Sequence, residues 1–137
     1  MLLQPKKLKF KKLKKNYLKN CLETKSFELR QGTVGLKALS SMRITSRQIE
    51  AVRQCINRDL GRSGKIWINV FPQIPVTKKP TENRMGKGKG SISFWCVPIK
   101  TGTLLFEIAG VSNMMAKRAL VKGGNKLPFK TKIIIRN

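Results

Sequence analysis

The run Ile44, Thr45, Ser46, Arg47, Gln48, Ile49 constrains the fold more than any other stretch, because it fixes a helix start at one position. A threonine can accept from the amide three residues on, while a glutamine there reaches back to the threonine's own N–H. The flanking isoleucines close over that turn as a staple. Beyond it Ile49, Val52, Ile56 and Leu60 recur at spacings of three and four, which builds one buried stripe along a helix. Gly61 and Gly64 supply the stop. Arg47, Gln54 and Arg58 fall on the opposite face. A helix with a single apolar stripe must bury it against another layer.

The remaining segments supply that layer. A first strand is expected at 33–39, where Gly32 and Gly35 signal bends or the close approach of another backbone. Residues 65–71 alternate Ile66, Ile68, Val70 against Trp67, Asn69, Phe71, a strand with one aliphatic and one partly aromatic face. Segments 92–99 and 103–109 are expected to pair as a hairpin turning through Lys100, Thr101 and Gly102, with Pro98 marking an edge or an irregularity. Ser112 caps a second helix over 113–122, closed by Gly123 and Gly124, and 131–136 is a last strand after Pro128. The stretch containing Pro72, Pro75 and Pro80 is expected to run as a semi-extended arm. The order predicts an α+β fold: a single-domain sandwich of a mixed or antiparallel sheet with two helices. To it are added a basic N-terminal arm over 1–26 and, within the domain 27–137, an extended Gly/Lys loop at 80–91.

Charge directs the functional reading. Thirty Lys and Arg against six Asp and Glu leave a formal charge of +24, and a compact chain so unbalanced is expected to meet a polyanion. Nucleic acid is the first candidate and an anionic membrane surface the second. The first 20 residues carry eight lysines and no acid. Phe10, Leu13 and Tyr17 there fit the spacing of a basic amphipathic helix lying on a membrane, whereas the density of like charge favours an arm that becomes ordered on RNA. A nonspecific nucleic-acid compacting protein is a third reading. No apolar run approaches the ~18 residues of a membrane span, so no membrane insertion is expected.

Catalysis finds little support. The chain has no histidine, and its six carboxylates include no adjacent pair, so no acid-base constellation is recognisable. Cys21, Cys55 and Cys96 are odd in number and widely spaced, which supports neither an ordinary four-ligand zinc site nor a disulfide framework. Cys55 and Cys96 read as small buried hydrophobes in a reducing compartment. No metal, cofactor or small-molecule substrate is expected, and the chain reads as a binding protein and not an enzyme.

The chemistry concentrates in Arg84, Met85, Gly86, Lys87, Gly88, Lys89 and Gly90. Glycines let main-chain N–H groups approach a phosphate, and lysines add point charge. The spacing is G-x-G-x-G, not a dinucleotide fingerprint, and Lys89 is followed by Gly90 and not by the Ser or Thr of a P-loop. Candidate RNA-binding cations elsewhere are Lys6, Lys7, Lys9, Lys11, Lys12, Lys14 and Lys15 of the arm, with Lys37, Arg43, Arg47, Arg58, Arg62 and Lys65 of the domain. Trp67 serves core packing or, alternatively, stacks on a base.

These residues carry a resemblance. Leu3-Gln4-Pro5-Lys6, Gly35-Leu36-Lys37-Ala38, the run ITSRQIEA from Ile44, KIWINVFP from Lys65, RMGKGKG from Arg84, and Lys126-Leu127-Pro128 appear in the order of the bacterial-type ribosomal protein L sixteen family of the large subunit. The resemblance spans nearly the whole chain. It implies an α+β protein bound to large-subunit ribosomal RNA, beside neighbouring ribosomal proteins and near the tRNA sites. In that setting the loop Arg84 to Gly90 reaches toward the peptidyl transferase region, and Lys6 to Lys15 correspond to an RNA-embedded arm. Residues 16–29 and the isoleucine-rich stretch after Pro128 depart from the family pattern. Abundant lysine, isoleucine and asparagine beside few arginines resembles the drift of an A+T-rich organellar genome. Family-like residues begin at Met1 with no cleavable presequence in view, so a mitochondrial ribosome is expected, with a plastid or a bacterial cytoplasm as alternatives.

Overall fold

The computed structural model describes residues 3–10, 12–14, 18 and 21–136. Its elements run β1 (Val34–Ala38), β2 (Met42–Thr45), α1 (Ser46–Asp59), β3 (Lys65–Ile68), β4 (Ile74–Lys78), β5 (Ser91–Ile99), β6 (Leu104–Ala109), α2 (Asn113–Gly124) and β7 (Thr131–Ile135). They form an α+β sandwich of two antiparallel sheets, one ordered β3-β6-β1-β7 and the other β2-β5-β4.

Helix α1 forms as its sequence dictates. The Thr45 hydroxyl accepts from the Gln48 amide while the Gln48 side chain accepts from the Thr45 N–H at 2.9 Å, a complete capping box. Ile49, Val52 and Ile56 are fully buried, and Arg47, Gln54 and Arg58 face outward. The stripe packs between α2 and the sheets, joining Val34, Leu36, Leu105, Phe106, Ile108, Ala116, Ala119 and Leu120 in one core. Helix α2 starts at the Ser112 cap, as expected, but Gly123 and Gly124 do not close it. Both lie buried in its last turn, where a Cβ on Gly123 would stand 2.8 Å from Ile56 Cγ1 and one on Gly124 2.6 Å from Thr131 Oγ1. Gly123 admits α1 and Gly124 admits β7, and neither acts as a stop. Asp59 ties the two helices further by pairing with Lys122, with Arg118 at 3.9 Å.

Three other expectations are corrected. Segments 92–99 and 103–109 do not form a hairpin: β5 pairs with β2 and β4, while β6 pairs with β1 and β3, so the chain passes from one sheet to the other at 100–103. Gly102, at φ +93°, makes that turn. The proline-rich stretch is not merely semi-extended, because Ile74–Lys78 is a strand. It lies at the edge of its sheet, where Pro75 is tolerated. Pro98 belongs to the central strand of that sheet, yet it sits past the last β4 pairing at Cys96, where β5 has only β2 beside it. Strand β3 ends at Ile68, short of the expected Phe71.

The basic start of the chain is held at both ends. Leu3 is buried in the core, and near residue 22 the chain returns to the domain through a bridge between Leu22 and Thr101, with the Glu23 amide donating to the Thr101 carbonyl at 2.9 Å. Lys6, Lys7, Lys9, Lys12 and Lys14 are exposed along this excursion. No helix forms among its described residues, so the apolar spacing of Phe10 and Leu13 builds no membrane-facing helix there. Tyr17 lies outside the described residues.

Candidate nucleic-acid interface

The loop grows from the outer end of the three-stranded sheet. Lys78 ends β4 opposite Ser91, which begins β5. Between them Gly90 presses on the opposing backbone so closely that a Cβ would lie 2.5 Å from the Lys78 carbonyl oxygen. The neck of the loop is therefore pinched. At the tip Gly86, Lys87 and Gly88 all take positive φ, +97°, +54° and +81°, a left-handed run in which Lys87 is the only residue bearing a Cβ. The Lys79 ammonium spans this turn and donates to the Gly86 carbonyl at 2.5 Å. Residues 84–89 are all exposed, Met85 completely so.

The arm meets this loop. Lys12 Nζ donates to the Lys89 carbonyl at 2.7 Å, and Lys89 Nζ donates to the Leu13 carbonyl at 2.5 Å. Lys11 and Lys15, also expected to bind RNA, lie outside the described residues.

The domain cations divide by environment. Arg47 is exposed at the start of α1 and lines a cleft of about 460 Å³ with Gln4, Gln54, Ser93 and Phe94. Arg58 and Arg62 line a second cleft at the other end of the same helix, with Asn57 and Gly61. Eleven residues of helix put Arg47 and Arg58 roughly 16 Å apart. Lys37 and Lys65 are engaged elsewhere: Lys37 Nζ lies 5.8 Å from the Phe27 ring centre and Lys65 Nζ 5.0 Å from that of Trp67. Trp67 is half-buried in β3 opposite Glu107 with this cation on its ring, an arrangement suited to packing more than to stacking on a base. Arg43 is half-buried on β2, opposite Pro98.

The carboxylates explain why so much positive charge stays available. Four of the six, Glu23 of the arm among them, are engaged by groups of the domain. The Arg53 guanidinium grips Glu50 through two hydrogen bonds, at 2.9 and 2.7 Å, and holds its carboxyl down at about 2. Asp59 serves Lys122 and Arg118, and Glu23 faces Lys100 at 4.0 Å. Glu107 is fully buried. Burial alone would raise its pKa, but N–H groups of Gly32, Gln31 and Arg30 at 2.6, 2.8 and 3.2 Å and the Asn69 amide at 2.6 Å together hold it below the usual carboxylate range. Among the described residues no ion pair takes up a cation of the arm or the loop.

Sequence reasoning passed over Glu107 as one of six scattered acids. Its signal was an acid in the middle of the apolar run Leu104 to Ile108, a placement that demands donors from elsewhere. It also passed over Lys79, whose position across the loop neck from the glycines was the available clue. Among the described residues no cluster of His, Cys, Asp and Glu could hold a metal ion, and no helix is long and apolar enough to cross a membrane.

Comparison with known proteins gives a single answer. The sequence profile described as ribosomal protein L16p/L10e matches residues 5–134. The chain is 51% identical over 135 residues to the large ribosomal subunit protein uL16 of Maricaulis maris, covering 98% of each. It is 50% identical over 136 residues to the proteins of that name from Cereibacter sphaeroides, with 98% of each covered, and Leptospira biflexa, with 99% of this chain and 98% of the relative covered.

Proposed function

The chain belongs to the ribosomal protein L16p/L10e family, and from that membership we propose that it binds large-subunit ribosomal RNA through its arm, its Gly/Lys loop and the outer face of α1, and helps position tRNA near the peptidyl transferase centre. As a member of this family it is a structural constituent of the large ribosomal subunit and not an enzyme. The observation that carries the reading is the separation of charge: the acids are largely neutralised inside the domain, while the arm and the loop display cations without carboxylate partners among the described residues.

Two functional parts follow from this proposal. Residues 1–26 act as the RNA-binding arm, and 27–137 as the domain that presents the loop 80–91. Support for the arm comes from its exposed lysines, Lys6, Lys7, Lys9, Lys12 and Lys14, held on a backbone anchored at Leu3 and near Glu23. Support for the loop comes from its exposed cations and glycine-built tip. A-form RNA hides its base edges in a deep groove, so contacts to phosphates and 2′-hydroxyls dominate such an interface. Lys37 and Lys65 contribute charge near the surface while their ammoniums rest on rings. Neighbouring ribosomal proteins are further partners.

The compositional lean toward lysine, isoleucine and asparagine supports a mitochondrial ribosome as the place of action, although the relatives named above are bacterial. Gradient sedimentation of lysates from the source organism, with organelles separated first, tests partner and place together. The reading expects the chain to travel with large-subunit RNA in the mitochondrial fraction and to leave it after nuclease treatment. Travel with a bacterial or plastid subunit overturns the place alone, and pelleting with anionic vesicles after nuclease overturns the partner.

A further inference from the structure

We propose that Lys12 and Lys89 form one composite clasp for a single phosphate of an RNA strand, and that this clasp locks the arm to the neck of the loop; the inference rests on the RNA-binding reading above. Residues 77 positions apart exchange reciprocal bonds here, each lysine donating to the backbone of the other's segment. The exchange brings two ammonium groups to one crossing with no carboxylate pairing to either among the described residues. Two like charges held together at the exposed crossing repel, and an anion between them removes the repulsion. Each ammonium has three N–H donors, of which the crossing uses one, so both retain donors for phosphate oxygens.

The place of the crossing gives it consequence. Lys89 precedes Gly90, the residue that pinches the loop against Lys78, so the arm crosses the loop where its direction is set. The arm itself is fixed at Leu3 in the core and at Glu23 on Thr101. An RNA strand seated at Lys12 and Lys89 therefore ties a segment anchored twice in the domain to the base of the exposed tip. Occupation of the arm and presentation of the loop become one event instead of two independent ones.

The test is a double-mutant cycle with full-length protein and deproteinised large-subunit rRNA, by filter binding at several KCl concentrations. Lys12→Met, Lys89→Met and the double variant are compared with the reference pair Lys7→Met and Lys89→Met. A shared phosphate predicts that each single variant loses affinity by about tenfold and lowers the salt slope by about one, and that the double variant falls less than about twofold below the weaker single. Losses at Lys7 and Lys89 multiply. Lys12→Arg with Lys89→Arg, which keeps charge and donors, retains most of the affinity. Losses that multiply for Lys12 and Lys89, unchanged affinity in either single variant, or failure of the arginine pair to bind all overturn the clasp. Wild-type binding that ignores salt, or that is equally strong on duplex DNA, overturns instead the reading beneath it.

Discussion

The Glu107 carboxylate receives the Gly32 N–H at 2.6 Å inside a fully buried site, so a charge in the middle of β6 organises the chain that enters β1. The Gln31 and Arg30 amides join it on the same oxygen, and the Asn69 side chain takes the other. Replacing Glu107 with Ala strands these donors, for which we expect a loss of at least about 3 kcal/mol of stability by urea denaturation. Glu107→Gln keeps the shape but loses the charge-assisted bonds, and falls between the two.

The same group sets an acid response. A carboxylate whose folded pKa lies below its unfolded value contributes stability that is present above the unfolded value and lost as pH falls through the folded one. Glu107 and Glu50 are both depressed, Glu50 to about 2, so wild-type melting temperature should be flat near neutrality and decline from about pH 4.5 downward. Thermal melts across pH 2 to 7 check this. The Glu107→Gln variant should show a shallower decline, and a parallel curve would remove Glu107 from the acid response.

Gly123 decides how closely α1 and α2 approach. Alanine is the better helix former by about 1 kcal/mol, yet its Cβ would meet Ile56 Cγ1 at 2.8 Å. Overpacking should win, and Gly123→Ala is expected to destabilise by about 1–3 kcal/mol. Ile56→Ala removes that Cγ1, so Gly123→Ala should cost less in the Ile56→Ala background than in the wild type. Additive destabilisation in the double variant would show that the crossing is not the cause.

What could be read in advance follows the range of the forces involved. The start of α1 was legible because Thr45, Gln48, Ile44 and Ile49 act within six residues. Ser112 was legible for the same reason. Gly123 and Gly124 were misread because a glycine that ends a helix and a glycine that admits a neighbour look alike until the neighbour is known. The supposed hairpin failed likewise: proximity along the chain favours pairing 92–99 with 103–109, but the two sheets recruit β5 and β6 to different partners. The cations of the interface were visible as composition, whereas the meeting of Lys12 with Lys89 is non-local and leaves no periodic mark. The Glu107 bonds span more than seventy residues to Arg30 and Gly32 and were equally hidden.

Shape and charge at the loop tip can be separated. Lys87 holds φ +54° with a Cβ, so Lys87→Gly relaxes the backbone while removing one cation. Gly88→Ala keeps every charge but puts a Cβ at φ +81°, at a torsional cost of about 1–2 kcal/mol, although that Cβ touches nothing within 4 Å. Lys87→Gly should melt at or above the wild-type temperature, and Gly88→Ala should fall below it by no more than that torsional cost. On rRNA, Lys87→Gly should lower the salt slope by about one, whereas Gly88→Ala should leave the slope unchanged.

Removal of the loop's cations carries the test to translation. Arg84, Lys87 and Lys89 are exposed and make no contact with the hydrophobic core, so Arg84→Ala, or Lys87→Ala with Lys89→Ala, should leave the domain's melting transition in place. What they should lose is the electrostatic field at the tip, and with it tRNA accommodation or a late step of large-subunit maturation. Subunits carrying each variant are purified, their yield is measured, and tRNA binding and peptide-bond formation are followed over a range of salt. The defect relative to wild type should be largest at low ionic strength and narrow as salt rises, because the contacts removed are the salt-sensitive ones. Normal subunit yield together with normal tRNA binding at every salt concentration would remove these three side chains from the mechanism.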